Sequence, residues 1–138
     1  ITDQINLSGT SCLGGLTGRY FGPQFLDMGS AFDQTWLEHI RALDGNIYKG
    51  VYAGVLGPAY ETPAEARMLS LLGADVVGMS TVQEVMAAHQ LGLKVACLSF
   101  VTNMSGGLGE TLTHKDVLQL VDTHQDRLKN LLTRAIGV

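Results

Sequence analysis

The sequence predicts an α/β fold in which short buried strands alternate with amphipathic helices. Three observations carry that prediction. Apolar runs over residues 51–56, 74–79 and 94–102 have the length of strands and end at glycine, proline or small polar residues. The segments between them place apolar residues at helical spacing. Hydrophobic residues make up 46% of the 138 and charged ones 16%, enough to bury a core and too apolar for disorder. The resulting order is helix, strand, helix, strand, helix, strand, helix, and such alternation implies a layered fold with right-handed crossovers.

Each element has its own local reason. Residues 7–30 are rich in Gly, Ser and Thr and show neither period, so they read as loop. From about Asp33 to Leu43, the stripe of Trp36, Leu37, Ile40 and Leu43 predicts a helix with Trp36 in the core, and Asp44-Gly45-Asn46 ends it. Val51 to Leu56 follows as a strand stopped by Gly57-Pro58. Thr62, Pro63 and Glu65 form a capping box with proline at the first helical position, opening a helix that ends at Gly73. Ala74 to Met79 is a buried strand, after which Ser80 is expected to cap a helix closed by Gly92. Lys94 to Thr102 is the third strand. A glycine-rich loop over 105–111 leads to Thr113, which with Asp116 opens a last helix to about Ile136.

Composition also excludes classes of function. The net charge is −4, with no cluster of Lys or Arg, so neither nucleic acid nor a membrane surface is an expected partner. No apolar stretch is long enough to span a bilayer, and no signal peptide is visible. Cys12 and Cys97 have no metal-type spacing, and Cys97 in its apolar run reads as a buried reduced thiol, which implies a cytoplasmic setting. Three strands would leave open edges, and the chain begins Ile1-Thr2-Asp3 with a long loop close behind. The expectation is a fragment of a larger domain, with further strands upstream.

In open α/β folds ligands gather at the carboxyl ends of strands. Three such places occur here: Gly57 to Thr62, Gly78 to Thr81, and Val101 to Asn103 with the glycine loop behind it. Together they suggest one small-molecule site built from Tyr60, Glu61, Met79, Ser80 and Asn103. Spacing alone does not say which molecule.

The literal residues go further. Gly57-Pro58-Ala59-Tyr60-Glu61-Thr62-Pro63-Ala64-Glu65, then Gly73-Ala74-Asp75-Val76-Val77-Gly78-Met79-Ser80-Thr81-Val82, then Val101-Thr102-Asn103-Met104 resemble the trimeric purine nucleoside phosphorylases. Asp3 to Leu7 and Phe21-Gly22-Pro23 match the same pattern, and the likeness is strongest to bacterial members acting on inosine, guanosine or xanthosine. It implies a phosphorylase/hydrolase-like three-layer fold with a mixed central sheet. Residues 1–138 would be the C-terminal portion of the one domain, the N-terminal half being absent. The implied reaction is phosphorolysis of 6-oxopurine nucleosides to free base and pentose 1-phosphate. It uses no cofactor, with inorganic phosphate as co-substrate, in a homotrimer.

By the same resemblance, Asn103 contacts the purine at N7 and O6, and Glu61 accepts from N1–H. Tyr60 packs on the base, Val77 lies beside it and Met79 lies under the ribose. Ser80 holds phosphate, Thr102 belongs with Asn103 at the base, His114 reaches the ribose 5′-hydroxyl, and Phe21 enters the neighbouring subunit's site.

Bland readings stand beside these. Glu61 could be a solvated carboxylate favouring a helix amino end, and Met79 could be core. Tyr60 could be a packed loop aromatic, Asn103 a turn former, and His114 an ordinary exposed histidine. Glu65 is fully explained by capping. His39, His89 and His124 read as surface or packing residues. The surrounding motif favours the site reading for Glu61, Met79 and Asn103. The nearest rival, a methylthioadenosine phosphorylase, is disfavoured because a 6-amino purine reverses the hydrogen-bond polarity that Glu61 and Asn103 offer. A non-catalytic purine-binding or assembly fragment is the other alternative, since the glycine-serine phosphate loop and the Arg/His segment expected upstream do not occur in this sequence.

Overall fold

The computed structural model describes residues 1–15, 19–20, 25–106 and 113–137. Its sheet has three parallel strands in the order β1 (Asp3–Asn6), β2 (Val51–Gly54), β3 (Val76–Gly78). Among the described residues four helices accompany it: α1 (Gln34–Leu43), α2 (Pro63–Leu71), α3 (Val82–Gln90) and α4 (His114–Ile136). The order is strand, helix, strand, helix, strand, helix, helix, so the predicted alternation holds from α1 to α3, and among the described residues no strand separates α3 from α4, in an incomplete α/β fold.

The helix ends follow from local chemistry. Asp33 caps α1 by accepting from the Trp36 N–H at 2.9 Å. Thr62 and Glu65 close a reciprocal capping box on α2, with Pro63 at its first position. Thr113 and Asp116 do the same for α4. Gly73, Gly92 and Gly137 follow the three later helices at φ of +90°, +73° and +74°, the left-handed geometry that ends a helix at little cost only for glycine. One stripe position differs from expectation. Leu37 and Ile40 are buried, but Trp36 lies at the surface with its ring edge-on to His39, centroids 5.8 Å apart. It sits on the rim of the stripe, 36% exposed.

Two strand assignments are corrected. Asp3–Asn6, which carries too short a pattern to announce itself, is β1 and pairs with β2 over four residues, from Asp3 opposite Val51 to Asn6 opposite Gly54. The run Lys94–Thr102 is not a strand; it makes only an isolated bridge between Val95 and Phe32. The Val95 carbonyl accepts from Asp33 N–H at 2.8 Å, and the Cys97 carbonyl accepts from the Ile1 amino group at 2.8 Å. Apolar, β-branched sequence favours extended backbone, but a strand exists only where a neighbour completes its ladder. β2 and β3 are also shorter than their apolar runs, ending at Gly54 and Gly78.

The core falls into two small clusters. Ala31, Phe32, Leu37 and Val85 form one beneath α1 and α3. Ile40, Leu131 and Ala135 form the other, joining α1 to α4. His39 approaches the Ala135 carbonyl at 3.2 Å, and Arg127 reaches Asp44 with Nη2 at 2.6 Å, bracing the same two helices. At the amino ends of β2 and β3 lies an open groove of about 560 Å³, bordered by Gly50, Asp75, Leu98, Phe100, Leu128 and Leu131. Phe100, on its wall, leans on His124 at 5.3 Å and remains 42% exposed.

Candidate active site

The opposite, carboxyl ends of β2 and β3 lead into the predicted site loops. Ala53 and Tyr52 are buried in β2, and the Tyr52 side chain runs under β3. A side chain at Gly78 would overlap the Tyr52 ring and hydroxyl, and one at Gly54 would lie 2.6 Å from both Val82 methyls. Glycine is required at both strand ends because neighbouring side chains occupy the space a Cβ would fill. Val77, half-buried, stands opposite Ala53 in the register between these glycines.

The three loops meet. Gly57 (φ +69°) turns the chain out of β2 directly against Met79, whose sulfur a Cβ at position 57 would overlap. Gly106 (φ +63°) is seated on the amino end of α2: an added Cβ would overlap the Ala66 Cβ and come to 3.0 Å from the Thr62 carbonyl oxygen. Ser105 Oγ donates to Glu61 Oε2 at 2.5 Å, a bond between residues 44 apart. The loop after β2 therefore touches the loop after β3 on one side and the Asn103 loop on the other.

Within this cluster Tyr60, Met79, Ser80 and Asn103 are exposed, while Glu61, Val77 and Thr102 are partly buried. Thr102 Oγ1 donates to Asn103 Oδ1 at 2.8 Å, and Asn103 Nδ2 donates to the Met104 carbonyl at 3.3 Å. Each end of the Asn103 amide keeps one further hydrogen-bonding position, since the oxygen can accept twice and the nitrogen donate twice. The amide is held in orientation and still able to offer a donor and an acceptor outward. Among the described residues Glu61 makes its one side-chain bond through Oε2, leaving Oε1 available.

Glu61 is not a helix cap. The Thr62 backbone N–H and hydroxyl both donate to Glu65, at 2.7 and 2.8 Å, and these bonds hold the Glu65 carboxyl below its ordinary value. Glu61 takes no part in that capping box and bonds Ser105 instead.

Ser80 departs from expectation. α3 begins at Val82 with Thr81 at the cap position, and no side chain caps it. The Ser80 hydroxyl instead pairs with Thr81 Oγ1 at 3.2 Å, while its backbone N–H points to Tyr52 Oη at 3.5 Å. The cause is Thr81 itself, at φ 74° and ψ −59°, with Val82 N–H bonded to the Ser80 carbonyl at 2.8 Å. This is a γ-turn of the positive-φ kind, rare and strained for a β-branched residue. Such strain collects at functional sites. Thr81, Gly57, Gly106 and Ser105 lie within the segments the sequence reading named as ligand places, but it gave none of them a role of its own. For Thr81 no sequence signal exists, whereas the glycines stood in turn contexts that could have marked them.

Phe21 lies outside the described residues. His114 opens α4, directly after its Thr113 cap, and its side chain lies outside the described residues too. Neither is brought to the cluster by any described contact. Among the described residues no three His, Cys, Asp or Glu side chains gather in a group that could hold a metal, and no helix is long and apolar enough to cross a membrane.

The chain is similar to known purine nucleoside phosphorylases over nearly its whole length. The purine nucleoside phosphorylase of Mycobacterium tuberculosis is 43% identical over 138 residues, covering 99% of this chain and 49% of the relative. The Schistosoma purine nucleoside phosphorylase solved with guanosine superposes with a TM-score of 0.90 at 31% identity, over 98% of this chain and 53% of that one. The Schistosoma mansoni enzyme solved with adenosine superposes equally well, with the same TM-score of 0.90, identity of 31% and coverage of 98% and 53%. The chain spans about half the length of the curated relatives it matches. The profile of the phosphorylase superfamily matches residues 1–137, and the chain belongs to that superfamily.

Proposed function

We propose that this chain supplies the base-binding portion of a purine nucleoside phosphorylase acting on 6-oxopurine ribonucleosides and deoxyribonucleosides. The observation that carries the reading is the meeting of the Glu61 and Asn103 loops through Ser105 and Gly106 at the carboxyl end of the sheet. Two hydrogen-bonding side chains, each with capacity left over, stand on adjoining loops beside an exposed aromatic, Tyr60.

In the reaction an oxygen of inorganic phosphate forms a bond to the anomeric carbon as the bond to the purine N9 breaks. The electron pair of that bond passes to the purine, and the pentose leaves as its 1-phosphate. Catalysis then consists of stabilising charge on the departing base. Asn103 bonds N7 and O6, oriented by Thr102, and Glu61 accepts from N1–H. Tyr60 packs on the base, Val77 lies at its edge and Met79 supports the ribose. Ser80 contributes to phosphate through its hydroxyl, His114 to the 5′-hydroxyl, and Phe21 to a neighbouring subunit of a homotrimer in the cytoplasm. No cofactor is needed, because phosphate itself is the nucleophile. The rest of the phosphate grip belongs to the part of the family fold that this chain does not span.

The test is turnover of inosine plus phosphate by this chain alone and by a fusion of it to the complementary half of the M. tuberculosis relative. The expected result is no turnover alone, and turnover in the fusion that Asn103→Ala abolishes. Robust turnover by the chain alone would refute the division of labour. Faster cleavage of adenosine or methylthioadenosine than of inosine would overturn the 6-oxopurine assignment.

A further inference from the structure

We propose that Ser105 positions Glu61 for recognition of the 6-oxopurine edge, and so sets the discrimination between 6-oxo and 6-amino bases. The inference rests on the reading of Glu61 as the acceptor for a purine N1–H. It adds a residue and a mechanism that reading does not contain.

The bond is directional. A carboxylate cannot donate, so the Ser105 hydroxyl does, and an O–H···O⁻ contact of 2.5 Å is in the range of short, charge-assisted hydrogen bonds. It occupies Oε2 alone. Oε1 makes no other bond among the described residues and is left as the acceptor for a ring N–H. A glutamate side chain has three rotatable bonds, and on a loop it would sweep a wide volume without a tether. Ser105 supplies that tether from a backbone that cannot drift. Gly106 is buried against Ala66 and the Thr62 carbonyl in a left-handed conformation that only glycine fits there. The Glu61 backbone is equally fixed, because the next residue is the cap of α2. Both ends of the bond are therefore anchored to the same helix terminus, and the carboxylate is oriented before ligand arrives. Preorganisation of this kind improves affinity by removing an ordering cost.

Selectivity follows from polarity. A 6-oxopurine presents N1–H to Oε1, whereas a 6-aminopurine presents an N1 lone pair. A tethered carboxylate cannot swing away from that lone pair, so the tether favours the first and opposes the second. A latch that merely held two loops together would stabilise the fold and act on both bases alike.

The experiment is calorimetric titration of the 138-residue chain with hypoxanthine and with adenine, for the wild type, Ser105→Ala, Ser105→Thr, Glu61→Gln and the double variant Ser105→Ala/Glu61→Gln, with melting curves alongside. Ser105→Ala is expected to weaken hypoxanthine about tenfold, the scale of one charge-assisted hydrogen bond, and to leave adenine unchanged or improved. Ser105→Thr, which keeps the hydroxyl, returns hypoxanthine affinity to near wild type. The double variant binds no more weakly than Glu61→Gln alone, since Ser105 acts only through that carboxylate. If Ser105→Ala binds hypoxanthine like the wild type while Glu61→Gln is impaired, or if it weakens both bases equally with a lowered melting temperature that Ser105→Thr does not restore, the role of Ser105 is overturned and that of Glu61 stands. If the wild type binds no hypoxanthine, or Glu61→Gln binds it unimpaired, the base-recognition reading falls and this proposal falls with it.

Discussion

The two ends of the sheet are built to different standards. At the carboxyl end, three loops lock into one another through Gly57 on Met79, Gly106 on Ala66, and Ser105 on Glu61. At the amino end, the groove between β3, α4 and residues 98–101 stays open, with Phe100 and Val101 42% and 58% exposed on its apolar wall. Parallel strands are ordinarily covered on both faces, and here only part of that cover is present. The difference teaches that the loops carrying the candidate chemistry are held by contacts with one another and with α2, while the described residues leave the amino end as an open apolar groove.

The comparison can be broken most severely at Gly106. Gly106→Ala forces a Cβ into Ala66 in a left-handed conformation, and we expect a loss of about 3 kcal/mol in chemical denaturation, together with loss of hypoxanthine binding. Retained binding would mean that the Asn103 loop is not held by its seat on α2.

A smaller effect is expected at the other end. Leu131→Ala removes a buried side chain from the α1–α4 cluster at the lip of the groove. The cost is about 2 kcal/mol, at the low end for such a truncation because the site is already open on one side. Hypoxanthine affinity should not change. A coupled loss of binding would show that the two ends are one cooperative unit.

The smallest effect is in pH dependence. Glu65 is held below its ordinary value of 4.5 by the Thr62 backbone N–H and then by the Thr62 hydroxyl, and Asp116 below 3.8 by the Thr113 hydroxyl and then by its N–H. Groups depressed on folding contribute stability that is complete above the unfolded value and is lost as pH falls through the folded one. Melting temperatures of the wild type and Glu65→Gln should therefore differ at pH 7 and converge as the pH falls below about 4. A difference that persisted into acid would exclude the ionic capping box as its source.

Much of the helical framework was legible because its signals are local. Thr62 with Glu65 and Thr113 with Asp116 make their bonds within three residues, and both boxes form as read. Ser80 looked like an equal case and is not, because β3 delivers the chain to α3 through the strained turn at Thr81, beside Ser80's contact with Tyr52 and Val82's packing on Gly54. Trp36 matched the helical stripe, yet it lies at the edge of α1's buried face, against His39 of the same helix and 36% exposed. Lys94–Thr102 has a more strand-like composition than Asp3–Asn6, but only the latter has β2 beside it.

By itself, then, the sequence determined the class of fold, the helix termini, and the family motifs that single out Tyr60, Glu61, Met79 and Asn103, because each is written within a few consecutive residues. Tertiary structure alone decided which apolar run became a strand, which residue bore backbone strain, and that Ser105 would meet Glu61. Those outcomes depend on partners tens of residues away, and a hydrogen bond or a glycine contact across that distance exists only once the chain has folded.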